Sequence, residues 1–228
     1  MDRIKVIALD LVGTLIPIKD WNPLHRAHLR VLTVHLAKTV LNKSNEEVRK
    51  ILAKEREVLS KKLKRDPTLL ETFSSLGVRK KTFYYIIDNV DPSKYLKANR
   101  KVAEAVLRLK SDYVLSIVTD TSRKTTERAL KAYGIRLDCF HVIVCGDDVA
   151  KIKPDKEAFR VLLKKVECKP QDILFIGDRE DIDLDPAKEL GMKTALIEEG
   201  HSSVDMLINS LLHFVEFVQL FSVRHGAC

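Results

Sequence analysis

The feature that most constrains this sequence is an apolar run near its start that leads directly into an aspartate. Val6–Leu9 are four consecutive apolar residues, and Asp10 follows them. A short, uninterrupted apolar run is typical of a strand that is buried on both faces of a parallel sheet. In open α/β sheets, ligands bind at the carboxyl ends of the strands. Asp10 is therefore predicted to be a nucleophile, a metal ligand or a helix-capping acid at that edge.

The composition indicates a globular chain with a hydrophobic core and a strongly charged surface. Of the 228 residues, 45% are hydrophobic and 32% are charged, and the formal net charge is +8. Such a positive charge suits an anionic substrate or a nucleic acid. We expect no nucleic-acid partner, because the lysines alternate with glutamates along helical stretches rather than clustering with aromatic residues.

The sequence predicts a cytoplasmic location and no membrane partner. No apolar run is long enough to span a bilayer, and the first residues lack the apolar stretch and cleavage site of a signal peptide. The cysteines show neither Cys-x-x-Cys nor Cys/His spacing, so we expect reduced thiols rather than disulfides or zinc ligands. These cysteines are Cys139, Cys145, Cys168 and Cys228.

After the first predicted strand, the hydrophobic pattern changes to a helical period. From about Pro23 to Asn89, apolar residues recur at helical spacing in four segments. Four helices are too many for an ordinary crossover between two strands. We therefore expect residues 16–92 to be an inserted helical cap domain, and residues 1–15 and 93–228 to form the core.

The rest of the chain alternates between strands and helices. Strands are predicted over 113–118, 140–145, 173–176, 193–197 and 205–208, and helices over 102–110, 125–133, 156–166, 186–190 and 210–221. This alternation is typical of a parallel, doubly wound sheet. The predicted fold class is α/β, with a Rossmann-like core and an inserted helical cap.

Polar side chains follow three of the predicted strands. Asp10 follows the first strand, Thr119 and Asp120 follow the next, and Asp178 and Asp183 follow a later one. The carboxyl ends of parallel strands share one edge, so we expect these side chains to lie close together. Clustered carboxylates require a cation, and oxygen ligands favour Mg²⁺. A nearby lysine and hydroxyl would suit the binding of a phosphoryl group. An aspartate at this place could attack the phosphorus and form an aspartyl-phosphate.

In their order and spacing, these residues resemble the four motifs of the haloacid dehalogenase-like (HAD) superfamily. Asp10-Leu11-Val12-Gly13-Thr14 is similar to the first motif, Thr119 to the second, Lys153 in Lys-Pro-Asp to the third, and Gly177-Asp178 with Asp183 to the fourth. The resemblance covers nearly the whole chain. It implies a Mg²⁺-dependent hydrolase with a helical cap that acts on a small phosphorylated substrate.

The resemblance also implies a role for each matched residue. Asp10 is expected to be the nucleophile, Thr119 to bind the phosphoryl group, and Lys153 to neutralise charge. The implied metal ligands are Asp10, Asp178, Asp183 and the Val12 carbonyl. The implied substrate-binding residues are Gly13, Thr14, Thr119, Asp120 and Lys153. Lys153 is preferred to Lys151 because Lys153 lies in the Lys-Pro-Asp match, and Asp181 and Asp185 are expected to be solvated or to lie behind the ligands.

One position departs from the pattern of the family's phosphatases. They usually carry a second aspartate two residues after the nucleophile, as general acid and base, and here that position is Val12. Valine cannot protonate a leaving alkoxide or activate water, and general acid–base catalysis contributes roughly 10²–10⁴-fold. Phosphate esters of alcohols should therefore be poor substrates. The hydrolysis of acyl phosphates and phosphoanhydrides should be slowed less, because their leaving groups need less protonation.

Val12 leaves two other functions open. The protein could bind a phosphorylated ligand or partner with little turnover, or it could be a dehalogenase-type hydrolase that acts on carbon. The acidic residues Asp178 and Asp183 oppose the second of these, because the family's dehalogenases do not use that acidic motif. The oligomeric state, monomer or homodimer, is also open. Arg26, Arg30 and Arg56 of the predicted cap could recognise a distal group of the substrate, although surface arginines are common on such helices.

Overall fold

The central feature of the fold is a parallel sheet, seen in a computed structural model that describes residues 4–197, 204–216 and 218. Its six strands follow the order β3-β2-β1-β4-β5-β6, and every neighbouring pair is parallel. The strands are β1 Val6–Leu9, β2 Val114–Val118, β3 Val142–Val144, β4 Ile173–Gly177, β5 Lys193–Ile197 and β6 Met206–Ile208. The predicted α/β class with a doubly wound parallel sheet is confirmed.

Helices occupy most of the remaining described chain. They are α1 Ile18–His35, α2 Asn45–Leu63, α3 Leu69–Ser75, α4 Lys80–Ile87, α5 Arg100–Asp112, α6 Arg123–Tyr133, α7 Glu157–Val166 and α8 Asp185–Glu189. Residues 211–216 and 218 are also helical, and the last residues of the helix predicted over 210–221 lie outside the described residues. Within the described chain, no helix is both long and apolar enough to cross a membrane.

Strand β1 lies in the middle of the sheet because it is apolar on both faces. All four of its residues are buried, between β2 on one side and β4 on the other. The register aligns Leu9 with Ile117 of β2 and Ile176 of β4. The residues that directly follow these strands are therefore brought to the same edge of the sheet, as the sequence predicts.

Local signals explain several helix boundaries. Ser44 and Thr68 form capping boxes with glutamates three residues later, at the starts of α2 and α3. Gly134 ends α6 in the left-handed conformation, at φ 85°. Helix α1 begins at Ile18, earlier than the predicted start near Pro23, so Pro23 lies inside the helix. The helix continues through this proline without the hydrogen bond that a proline nitrogen cannot donate.

The contacts divide the chain into two units. Met1–Trp21 and Pro92–Cys228 form the first unit, which contains the sheet, and Asn22–Asp91 form the second, which is helical. The predicted helical insert starts at residue 16, six residues before the second unit begins. That the second unit acts as a cap over the site stays a prediction.

Tyr133 connects the two chain segments that flank the helical unit. Its hydroxyl donates a hydrogen bond to Asp20 in α1 and accepts one from the Asn99 amide at 3.1 Å. Tyr133 is buried, and this burial together with the Asp20 carboxylate raises the pKa of its hydroxyl, which therefore stays protonated. The hydrogen bond to Asp20 joins the start of α1 to α6, and both belong to the unit that contains the sheet.

We expect Tyr133→Phe to lower the free energy of unfolding by about 1.5–3 kcal/mol, because it removes a hydrogen bond to a charged group. Urea denaturation followed by circular dichroism measures the change. Tyr85→Phe is the matched control, since Tyr85 is 71% exposed. Equal stability of the two variants would contradict this role of Tyr133.

Candidate active site

At the carboxyl edge of the sheet, Lys153 lies between two buried aspartates. Its Nζ donates to Asp10 Oδ1 and to Asp183 Oδ1, at 2.6 Å in each case, and to the Val118 carbonyl at 3.2 Å. Lys153 is 2% exposed. Burial lowers the pKa of Lys153, but Asp10, Asp183 and Asp120 raise that pKa by more, so the ammonium stays charged. The two ion pairs offset the large cost of burying this charge.

Asp178 completes a cluster of three carboxylates with Asp10 and Asp183. One carboxylate oxygen of each lies within 4.8 Å of the others. The pKa of Asp10 lies well above its ordinary value, chiefly because the carboxyl group is buried. Lys153 lowers this pKa, whereas the neighbouring aspartates raise it further. Burial and the charge of Asp183 raise the pKa of Asp178 to about 6. A single ammonium does not balance three carboxylates, so the cluster favours an additional cation.

The cluster fits a hard divalent cation. Its ligand groups are all carboxylates, and Mg²⁺ prefers oxygen ligands. Asp10, Asp178 and Asp183 are the side chains that would hold the ion. The Val12 carbonyl, expected as a fourth ligand, belongs to a turn in which Val12 pairs with Ile16.

Gly13 allows this turn to approach the cluster closely. Its φ is +90°, in the left-handed region that favours glycine, and a Cβ there would lie 2.1 Å from Asp178 Oδ2. The Gly13 amide donates to the Ile16 carbonyl at 2.8 Å. Gly13 therefore shapes the turn, and its amide is already hydrogen-bonded rather than open to a substrate.

The other residues predicted to bind substrate fall into two groups. Thr119 and Thr14 are almost fully buried. The Thr119 hydroxyl accepts the Thr121 amide at 3.2 Å, and among the described residues the Thr14 hydroxyl has no hydrogen-bond partner. Asp120 instead accepts the main-chain amide of Lys153 at 3.0 Å. Asp120 is thus a positioning residue for the lysine segment.

Two features that position Asp183 were not predicted from the sequence. Asp183 lies in a π-helical turn, Glu180–Leu184. The Asp183 amide donates to the Arg179 carbonyl at 2.8 Å, and Asp183 Oδ2 accepts the Arg179 amide at 3.2 Å. A Cβ on Gly177 would lie 2.5 Å from Asp183 Cβ. The glycine at the end of a buried strand signals such a close approach, whereas the π-helical turn has no comparable sequence signal.

Several neighbouring charged residues lie outside the cluster. Asp181 is half-buried and pairs with Arg179 at 3.4 Å, and Asp185 is exposed. Lys151 is also exposed, with its side chain 3.8 Å from Asp155. Of the two candidate lysines, Lys153 is therefore the one that reaches the carboxylates.

The sheet and its acidic edge define an α/β protein of the Rossmann-like class. Residues 23–197 match the family described as haloacid dehalogenase-like hydrolase. The chain belongs to this family of enzymes, which confirms the resemblance drawn from the motifs. The matched residues include Thr119, Lys153, Asp178 and Asp183, whereas Asp10 lies before the matched segment.

Individual proteins share part of the sequence or the whole fold. The pyrophosphatase PpaX of Bacillus velezensis is 33% identical over 134 residues, which are 57% of this chain and 61% of that protein. The match thus spans about three fifths of the relative's length.

A HAD phosphatase from Thermococcus onnurineus has a TM-score of 0.66 at 23% identity, covering 94% of this chain and 98% of that one. CbbY from Rhodobacter sphaeroides, solved in complex with phosphate, has a TM-score of 0.61 at 21% identity, covering 92% and 96%. At these identities, the two solved structures show a shared fold.

We expect Lys153→Met to lower the free energy of unfolding in EDTA by about 3–5 kcal/mol, because Asp10 and Asp183 would remain buried without a counter-charge. Lys151→Met is the matched control and should change stability by less than about 0.5 kcal/mol, since Lys151 is exposed. Urea denaturation at neutral pH measures both. A Lys153→Met protein as stable as the control would show that the ion pairs do not hold the site together.

We expect Asp178→Asn to keep or raise the melting temperature in EDTA, because it removes a charge from a crowded cluster. Mg²⁺ should raise the melting temperature of the wild type but not that of Asp178→Asn. Asp181→Asn, which alters a neighbouring acid outside the cluster, should retain the wild-type response. Thermal unfolding with EDTA and with Mg²⁺ tests this, and a full Mg²⁺ response in Asp178→Asn would exclude Asp178 as a ligand.

Proposed function

We propose that this chain is a Mg²⁺-dependent phosphohydrolase that acts on small phosphorylated molecules through an aspartyl-phosphate on Asp10. The observation that carries the proposal is the buried ion pair between Lys153 and Asp10, at 2.6 Å, beside a carboxylate cluster. An anionic nucleophile approaches an anionic phosphoryl group only where fixed positive charge offsets their repulsion. Membership in the haloacid dehalogenase-like family and the similarity to named phosphatases support this proposal.

The reaction consists of two displacements at phosphorus. A carboxylate oxygen of Asp10 forms a bond to phosphorus while the bond to the leaving oxygen breaks, and the leaving group keeps the bonding electrons. Water then bonds to the same phosphorus, the bond to Asp10 breaks, and a proton from the water passes to the released phosphate or to solvent. Lys153 Nζ and the Thr119 hydroxyl hold the phosphoryl oxygens. Bound Mg²⁺ would neutralise charge on those oxygens.

Val12 favours substrates whose leaving group needs no proton. An alkoxide requires a general acid, and Val12 cannot act as one. A phosphate or a carboxylate leaves as a stable anion near neutral pH. We therefore favour phosphoanhydrides and acyl phosphates as the substrate class, and the similarity to a protein named pyrophosphatase supports the phosphoanhydrides.

We expect pyrophosphate and acetyl phosphate to be hydrolysed with a kcat/KM at least about 100-fold above that of glycerol phosphate, an alkyl ester. Release of phosphate should require Mg²⁺, stop in EDTA, and be lost in Asp10→Asn. An enzyme-coupled phosphate assay at neutral pH measures the release of phosphate from all three substrates. Hydrolysis that is unaffected by Asp10→Asn would contradict the proposed nucleophile.

We expect Val12→Asp to raise kcat/KM for glycerol phosphate about tenfold or more, because it restores a general acid at this position. Val12→Asn is the matched control. Asparagine has nearly the same size and polarity as aspartate, but it cannot donate a carboxylic proton. If the two variants hydrolyse the ester equally, the missing acid does not limit this reaction.

Val12 also supports a second candidate function, the binding of a phosphorylated ligand or partner with little turnover. This candidate gains if acetyl phosphate and pyrophosphate bind without releasing phosphate and Val12→Asp restores no activity. A dehalogenase-type reaction on carbon would instead persist in EDTA. The carboxylates of Asp178, which is half-buried, and of Asp183, which is buried, oppose it, because that chemistry has no use for a cation site.

A further inference from the structure

The helical unit contains a cavity that is lined by apolar side chains and surrounded by cations. It lies between α1, α2 and α3 and has a volume of about 670 Å³. Its apolar lining includes Leu29, Leu52 and Phe73, and its cations are Arg26, Arg30, Arg49 and Arg56. The volume falls in the range of small-molecule binding sites, about 300–1,000 Å³.

The four arginines of the cavity lie on two helices, α1 and α2. Arg26 and Arg30 share one face of α1, and Arg49 and Arg56 share one face of α2, because residues three, four or seven apart align on a helix. Four guanidinium groups around one cavity repel one another, so an anion bound among them would relieve this repulsion.

These cations have few counter-ions. Arg56 pairs with Asp66 at 3.4 Å in an exposed contact, and no carboxylate of the described chain forms an ion pair with Arg26, Arg30 or Arg49. The segment 22–91 contains 15 Lys and Arg against 8 Asp and Glu, so it carries nearly all of the net charge of +8. Burial lowers the pKa of His25 in the same unit, and the nearby Arg56 and Arg26 lower it further. The cavity therefore lies in a region of positive potential.

We propose that this cavity is a second binding site, for a phosphate-bearing small molecule with an apolar or aromatic body, such as a nucleotide. A guanidinium group binds phosphate through two parallel hydrogen bonds, so the arginines around the cavity are suited to hold the phosphate of the ligand. The apolar lining would bury the body of the ligand. A second copy of the chain is disfavoured as the occupant, because its own cationic rim would be repelled. The site contains none of the residues of the carboxylate cluster, so it does not depend on the proposed hydrolysis.

ADP is the probe for this site, and isothermal titration calorimetry of the full chain in EDTA at low salt is the measurement. ADP should bind wild type and Asp10→Asn alike. Arg49→Gln should weaken binding at least about tenfold, because it removes a charge-assisted contact. Lys50→Gln is the matched control: it removes the same charge from the next residue of α2, which does not line the cavity, and should change the affinity less than about twofold.

Two further measurements test the cavity itself. The first changes its size without changing its charge, and the second uses parts of the ligand. Ala53→Leu places a larger side chain in the cavity without changing its charge, and it should block ADP binding while the circular dichroism spectrum is unchanged. Adenosine and pyrophosphate each lack one half of the expected ligand, and both should bind at least about tenfold more weakly than ADP.

Three results would overturn the proposal. The first is an absence of ADP binding to the wild type. The second is binding that Arg49→Gln leaves intact, which would place ADP outside this cavity. The third is an equal loss in Lys50→Gln and Arg49→Gln, which would indicate general attraction of anions to a basic surface.

Discussion

A buried ammonium between two buried carboxylates is the interaction on which the rest of the site depends. Lys153 comes from the loop before α7, Asp10 follows β1, and Asp183 lies in the turn after β4. Each of these charges would be costly to bury alone, so the three chain segments stabilise one another at a single point on the sheet edge. The parallel order of the strands makes this meeting possible, because it places β1 between β2 and β4.

The site is built at a cost to stability. Three carboxylates share one ammonium, and burial together with repulsion from neighbouring aspartates raises the pKa values of Asp10 and Asp178. Gly13 and Gly177 bring the main chain close to these acids, at positions where any side chain would collide with Asp178 or Asp183. A bound cation would relieve this excess of negative charge, and it would also offset the negative charge of an incoming phosphoryl group. Such a balance is typical of functional sites, where activity is favoured over stability.

The sequence predicts the parts of the molecule that depend on local pattern. The apolar run before Asp10 predicts a central strand, and the alternation after residue 93 predicts the parallel sheet, because burial on both faces leaves a direct trace in residue type. Features that arise from tertiary contacts left no such trace. Asp120 binds the Lys153 amide, α1 continues past Pro23, and Glu180–Leu184 form a π-helical turn. The cavity between α1, α2 and α3 is likewise a product of packing, although its arginines are visible in the sequence.

The proposed mechanism requires that Asp10 carries the phosphoryl group, and a trapping experiment tests this most directly. The protein is mixed with acetyl phosphate and Mg²⁺, quenched in acid within one turnover, and reduced with borohydride, which converts an acyl phosphate into an alcohol. Peptide mass spectrometry then locates the reduced residue. We predict reduction at Asp10 that disappears when EDTA replaces Mg²⁺, with Asp178 and Asp183 unmodified. Sustained phosphate release with no reduction at Asp10 would contradict the aspartyl-phosphate mechanism.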